Sequence, residues 1–206
     1  MAQRELSEME LRALDYIEQN TPLSLQQHVV GTRDLALEIN RRQSLGLDEE
    51  KISLASLLHD VARLFSSDQL VFGLKAYGLD PDSFDYAVPM LLHVELGAEI
   101  AKREIGVEDE DVLNAIRLHA TGSAGMSVLD KLIYVADKVE PLRDYPGVGD
   151  LREFALRDLN AAFPVVISSV LKYLIDAGHP LDYNSVTAYN ESIRDLVNQK
   201  VGQKIE

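Results

Sequence analysis

The sequence predicts an all-α fold, a helical bundle with a metal site at its centre. Two observations carry that expectation. Helical period dominates the 206 residues, and no convincing strand pair interrupts it. Histidines and aspartates also recur in five apolar helical settings. His28 precedes Val29, and His59-Asp60 sits inside Leu57-Leu58-His59-Asp60-Val61-Ala62. His93 follows Leu91-Leu92, His119 follows Ile116-Arg117-Leu118, and Asp137 follows Val135-Ala136. Each setting falls on a different helix or helix end. Four or more helices must therefore converge to bring them together, as in bundles that build metal sites from inward-facing side chains.

The elements follow in order. Leu6, Met9, Leu14 and Ile17 mark a first helix. Ser24-Leu25-Gln26-Gln27 reads as a capping box opening a second helix to about Gln43, with His28, Leu35, Ala36 and Ile39 on one face. Gly46 breaks the chain, and Asp48 caps a third helix with Ile52, Ala55 and His59 on one face. Residues 66–90, punctuated by Gly73, Gly78, Pro81 and Pro89, are expected to be short helices covering the site. His93 opens or precedes a helix to about Ile105. Another runs from about Glu108 to His119, ended by Gly122 and Gly125.

Ser127-Val128-Leu129-Asp130 is a second capping box. Its helix carries Leu129, Ile133, Ala136 and Asp137 on one face and stops at Pro141 and Tyr145-Pro146-Gly147. One long helix is expected over about Leu151 to Ala177, with Gly178 as its C-terminal cap and His179 in the loop. A final helix begins near Thr187, which reads as its N-cap.

The length suits one domain over 1–206, with its core at about 24–196. No apolar run approaches the roughly 20 residues that span a bilayer, and Met1-Ala2-Gln3-Arg4-Glu5 opens no signal-peptide core. A cytoplasmic protein without a membrane partner is the expectation. The absence of cysteine excludes disulfides, thiolate zinc sites and a thiol nucleophile. A net charge of −14 with no basic stripe argues against nucleic acid as a partner. Most of the 34 carboxylates read as solvated surface. A buried cation would still let the site take an anionic substrate.

An adjacent His and carboxylate in an apolar helix is costly to bury unless something binds them. A lone apolar-face histidine is more often a hydrogen-bonded core residue. Recurrence in five settings favours the ligand reading. Asp60 and Asp137 supply negative charge; His28 and His59 supply directional nitrogens. This set is harder than thiolate and suits Fe, Mn, Co, Mg or Zn. A cation so held lowers the pKa of water and polarises a phosphoryl oxygen, which fits phosphoester or phosphoanhydride hydrolysis. No nucleophilic Ser or Cys motif and no Walker-type loop is present. Metal-activated water is the expected nucleophile.

The order His28, His59-Asp60, Asp137 resembles the signature of the HD-domain metal-dependent phosphohydrolases. Four stretches are similar to the bacterial YqeK family: His119 to Ser127, Asp130 to Arg143, Pro146-Gly147-Val148 and Thr187-Ala188-Tyr189-Asn190. The resemblance runs from about Leu25 to Leu196. It implies an HD-domain bundle and a symmetrical diadenosine tetraphosphate (Ap4A) hydrolase, giving two ADP. It also implies a divalent or trivalent metal, iron first, with Mn, Co, Mg or Zn as alternatives. His28, His59, Asp60 and Asp137 match the metal ligands. Asp60, His93 and His119 are implied as catalytic groups, with the two histidines near the phosphates or on a second metal ion.

Substrate contacts are implied for His28, His93, His119, Ala120, Asp137, Arg143, Ser185, Thr187, Tyr189 and Asn190. Arg143 would meet a phosphate, and 185–190 would line the nucleotide pocket. Without the family, Arg143 reads equally as a partner of Glu140. Two positions depart from the family. Ala120 stands where Thr or Ser is frequent, and Ser24 to Gln27 lack a basic residue before the first ligand. Both bear on substrate affinity rather than on reaction class. The rival readings are an HD nucleotidase for another nucleotide, a nucleotide-binding sensor with little catalysis, and a structural metal in an interaction module. Expected partners are the dinucleoside polyphosphate, ADP and a second copy in a homodimer.

Overall fold

Apolar residues at helical spacing and polar caps at their ends set ten α-helices in the computed structural model, which describes residues 4–202. No strand occurs among the described residues. Residues 1–3 and 203–206 of the expected domain lie outside them. The first helices are α1 (Glu8–Asn20), α2 (Leu23–Gln43), α3 (Glu49–Leu58), α4 (Ser67–Ala76) and α5 (Leu92–Ile100). The rest are α6 (Glu110–Leu118), α7 (Val128–Val139), α8 (Val148–Arg157), α9 (Leu159–Asp176) and α10 (Tyr183–Gly202). A π-helical turn, Ala101–Ile105, extends α5.

Local chemistry explains most starts. Asp48 accepts from the Glu50 amide, and Ser127 and Asp130 close the expected capping box reciprocally. Other expectations need correction. Ser24 does not cap α2: the helix starts after Pro22, whose fixed φ of −71° already suits a helix entry. Residues 66–90 do hold short helices, as expected: α4, opened by a Ser66/Gln69 capping box, and the 3₁₀ turns Pro81–Ser83 and Pro89–Leu91. Helix α4 buries Leu70 and Leu74 in a cluster with Leu92, Leu96 and Ile100 of α5. The long helix over 151–177 is two helices. Asp158 adopts extended φ/ψ (−155°, 97°) and its side chain caps α9 through the Ala161 amide. Thr187 lies inside α10 and donates to the Asn184 carbonyl instead of capping it. Leu6 precedes α1 and is exposed.

The centre of the molecule is α3, whose residues Ile52 to Leu58 are all buried. Such a helix has no polar stripe, so it must be packed on every side. It is packed by α1, α2 and α6, while α7 joins α2 to α6 and α9. Tyr134 of α7 meets Phe163 of α9 edge to face, with ring centroids 5.4 Å apart. By length and apolarity alone, α9 could cross a membrane, which the sequence expectation had not allowed for. Its Leu159, Ala162, Phe163, Val166 and Ile167 instead lie in the core.

Candidate metal centre

Helix ends deliver the site. His28 projects from the second turn of α2. His59 caps the C-terminus of α3, and Asp60 follows in the next turn. His93 lies in the first turn of α5, His119 caps the C-terminus of α6, and Asp137 sits in the last turn of α7. Five helices thus converge, as the sequence pattern requires. His59, Asp60, His93, His119 and Asp137 are buried, and the His28 side chain is 12% exposed.

Two donor sets form. One atom each from His28, His59, Asp60 and Asp137 lie within 4.8 Å of one another, as do Asp60, His93 and His119. Asp60 belongs to both. Its Oδ2 faces His28 Nε2 at 3.7 Å and His59 Nε2 at 3.6 Å. Its Oδ1 faces His93 Nε2 at 3.5 Å and His119 Nε2 at 3.2 Å. Asp137 Oδ1 lies 3.1 Å from His28 Nε2.

The histidine tautomers can be read from the outer nitrogens. Nδ1 of His59, His93 and His119 donates to the carbonyls of Ser56, Met90 and Ile116 at 2.7, 2.6 and 2.7 Å. His28 Nδ1 donates to Glu140 Oε1 at 3.1 Å. In the neutral rings every Nε2 is therefore a lone pair pointing inward. His28 and His59 bring these to 3.2 Å, and His93 and His119 to 3.4 Å. Facing lone pairs repel unless a proton or cation lies between them. The donor set thus fits a nitrogen- and oxygen-ligated divalent metal.

The charge states agree. Burial pushes both aspartates up, but their neighbours outweigh it. His59 and His119 hold Asp60, and Lys138 and His28 hold Asp137, well below the carboxylate range. Burial and neighbouring His119 push His93 down to about 3, and burial pushes His119 down, so both are neutral ligands or bases. Burial alone would lower His28, but Asp137 and Glu140 raise it to about 9. A metal entering here must displace that proton.

Arg143 approaches the cluster through Asp137. Its Nη2 donates to Asp137 Oδ1 at 2.6 Å and its Nε to the Asp137 carbonyl at 2.8 Å. The alternative partner, Glu140, is 3.9 Å away. Ala120 follows His119 and is half-buried. Ser185, Thr187, Tyr189 and Asn190 lie on α10, which is tied to the loop after His119. Glu191 accepts from the Gly125 amide at 3.0 Å, and a Cβ at Gly122 would lie 3.2 Å from that of Ala188. Among the described residues none of the four is hydrogen-bonded to the cluster.

Three neighbours escaped the sequence reading. Lys138 bonds Asp137 and donates to the His119 carbonyl at 2.9 Å. Glu140, 1% exposed, holds His28. Arg152 of α8 donates to the Val139 and Glu140 carbonyls at 2.5 and 2.8 Å, satisfying the C-terminus of α7. The sequence signal for Lys138 and Glu140 was their place beside Asp137. Arg152 left none.

The HD domain family matches residues 25–142, a span that holds all six cluster residues and ends just before Arg143. The chain belongs to the HD domain family. Within it the relatives bear out the YqeK likeness. A Bacillus subtilis protein named symmetrical bis(5'-nucleosyl)-tetraphosphatase is 36% identical over 163 residues, 79% of this chain and 86% of that one. A Halalkalibacterium halodurans protein of the same name is 32% identical over 180 residues, 87% of this chain and 95% of that one. A Clostridium acetobutylicum crystal structure, described as a "predicted HD superfamily hydrolase involved in NAD metabolism", is 34% identical with a TM-score of 0.81. It covers 93% of this HD domain chain, which in turn covers 100% of it.

Proposed function

We propose that this HD domain protein is a metal-dependent hydrolase that cuts Ap4A symmetrically: one Ap4A and one water give two ADP. The observation that carries the reading is the pair of donor sets sharing Asp60. The two relatives named symmetrical tetraphosphatases support the substrate. His28, His59, Asp60 and Asp137 would hold the metal, with iron the ion proposed. When bound, the cation lowers the pKa of a water and polarises a phosphoryl oxygen. The water oxygen bonds one inner phosphorus, the bond from that phosphorus to the central bridging oxygen breaks, and ADP leaves with the bridging oxygen.

The chain's own groups support that reaction. Asp60 Oδ1 and His119 Nε2, 3.2 Å apart, form a buried pair able to take up and pass on a proton. His93, held neutral, adds a further acceptor or a donor to a second cation. Arg143, with its side chain 39% exposed, supplies positive charge to the polyphosphate. Residues 185–190 and Ala120 would face the nucleoside. The proposal places the chain in one domain with its core at about 24–196, and in the cytoplasm, as the bacterial relatives suggest. It includes a homodimer, supported by exposed Leu11 on α1 and Ile193 and Val197 on α10.

The NAD-metabolism description of the Clostridium structure favours a second reading, hydrolysis of another nucleotide. Anion-exchange analysis of products from the metal-loaded protein separates them. ADP as sole product is expected. ATP with AMP overturns the symmetrical cut, and no turnover of Ap4A by metal-replete protein overturns the substrate assignment.

A further inference from the structure

The four cluster histidines are oriented in two different ways. His59, His93 and His119 each donate Nδ1–H to the carbonyl three residues earlier in their own segment. The Ser56 and Ile116 carbonyls lie in the last turns of α3 and α6, where helix carbonyls lack intrahelical partners, and the Met90 carbonyl lies in the short 3₁₀ turn before α5. His28 sits inside α2, where the preceding carbonyls already accept from the helix's own amides. It has no local acceptor, so its orientation must come from elsewhere.

It comes from Glu140, 112 residues away and 1% exposed. Oε1 accepts from His28 Nδ1 at 3.1 Å, and Oε2 accepts from the Leu142 amide at 2.6 Å. The Glu140 carbonyl accepts from Arg152 at 2.8 Å and from the Arg143 amide at 3.0 Å. The carboxylate is thus locked at both ends. Gly31, one turn after His28, makes the room. A Cβ there would lie 2.9 Å from Glu140 Oε2.

We infer that Glu140 is the positioning residue of His28, and that Gly31 keeps the space it needs. A carboxylate on the outer nitrogen fixes the ring and strengthens the inner nitrogen as a ligand. Glu140 also ties α2 to the end of α7, so that His28 and Asp137 are set by one joint. The inference rests on the metal-dependent reading of the site.

The test measures Co²⁺ affinity by chelator competition, with the Co²⁺ visible spectrum as a reporter of ligation. It uses the full chain, Glu140→Ala and Gly31→Ala, each alone and combined with His28→Ala. Glu140→Ala is expected to weaken Co²⁺ binding about 10- to 100-fold and to alter the spectrum. In the His28→Ala background it is expected to add no further loss. Gly31→Ala is expected to weaken Co²⁺ binding by pushing Glu140 off His28, and to add no further loss in the His28→Ala background.

Wild-type affinity in Glu140→Ala, or an equal loss with and without His28, overturns the inference. If Glu140→Ala does not fold, unchanged affinity in folded Gly31→Ala overturns it. A wild-type protein that fails to bind Co²⁺ overturns the metal reading itself, which is a separate result.

Discussion

Replacing Asp60 by Asn removes the charge that both donor sets share while keeping the side-chain volume. The wild-type oxygens lie 3.2 to 3.7 Å from four imidazole nitrogens, so any cation among them sits within a few ångströms of this carboxylate. A unit charge pair at 4 Å is worth about 4 kcal/mol at an effective dielectric near 20, hence about 8 kcal/mol for a divalent cation. Relief of the buried carboxylate's desolvation returns part of this. The expected net loss is about a thousandfold in affinity, or about 4 kcal/mol. A cation at 1,000 times its Kd stabilises the native state by about 4 kcal/mol. In a chain of 206 residues that raises Tm by about 8–16 °C. At the same cation concentration Asp60→Asn sits near its own Kd, and the rise shrinks to about 1 °C. Thermal melts with and without EDTA read the difference. A full metal-dependent rise in folded Asp60→Asn would refute the shared-ligand reasoning.

Other consequences are as open to measurement. Arg143→Ala should raise KM for the polyphosphate about tenfold or more, the worth of a charge-assisted hydrogen bond; an unchanged KM removes Arg143 from the substrate. Gly122 has φ +68°, and a Cβ there would press on Ala188 and Met126 at 3.2 Å. Gly122→Ala should therefore cost at least about 1–2 kcal/mol in urea unfolding; equal stability contradicts the packing of α10 on this loop. Glu10 is pushed up by burial but pulled further down by Arg4 and the Ser7 amide, so its folded pKa lies below 4.5. That stabilisation is full above about pH 4.5 and is lost as pH falls through the lower folded value. Stability of Glu10→Gln should change less than wild type below pH 4.5, and parallel profiles would contradict this.

The parts of the molecule that were legible were the local ones. Asp48 and the Ser127/Asp130 box start helices by bonds within three residues, so their chemistry is visible in a short window. His59-Asp60 stood out because burying such a pair needs a partner. Asp158 was invisible because apolar residues keep helical spacing across the break, and the kink lies in one residue's φ/ψ. Ser24 misled because Pro22 and a Ser-x-x-Gln pattern both mark helix starts, and here the proline prevails. Glu140 could not be read as the holder of His28, since their separation of 112 residues is closed only by the packing of α2 on α7. The place of 185–190 was equally non-local, set by Glu191 on Gly125 and by Asp182 on the Ala87 amide.

The most direct test of the central claim is hydrolysis of Ap4A by the metal-loaded protein in ¹⁸O-water, with mass spectrometry of the products. Attack of water on an inner phosphorus with loss of ADP predicts ADP alone, one labelled molecule for each unlabelled one. Label in AMP, ATP or free phosphate would contradict it.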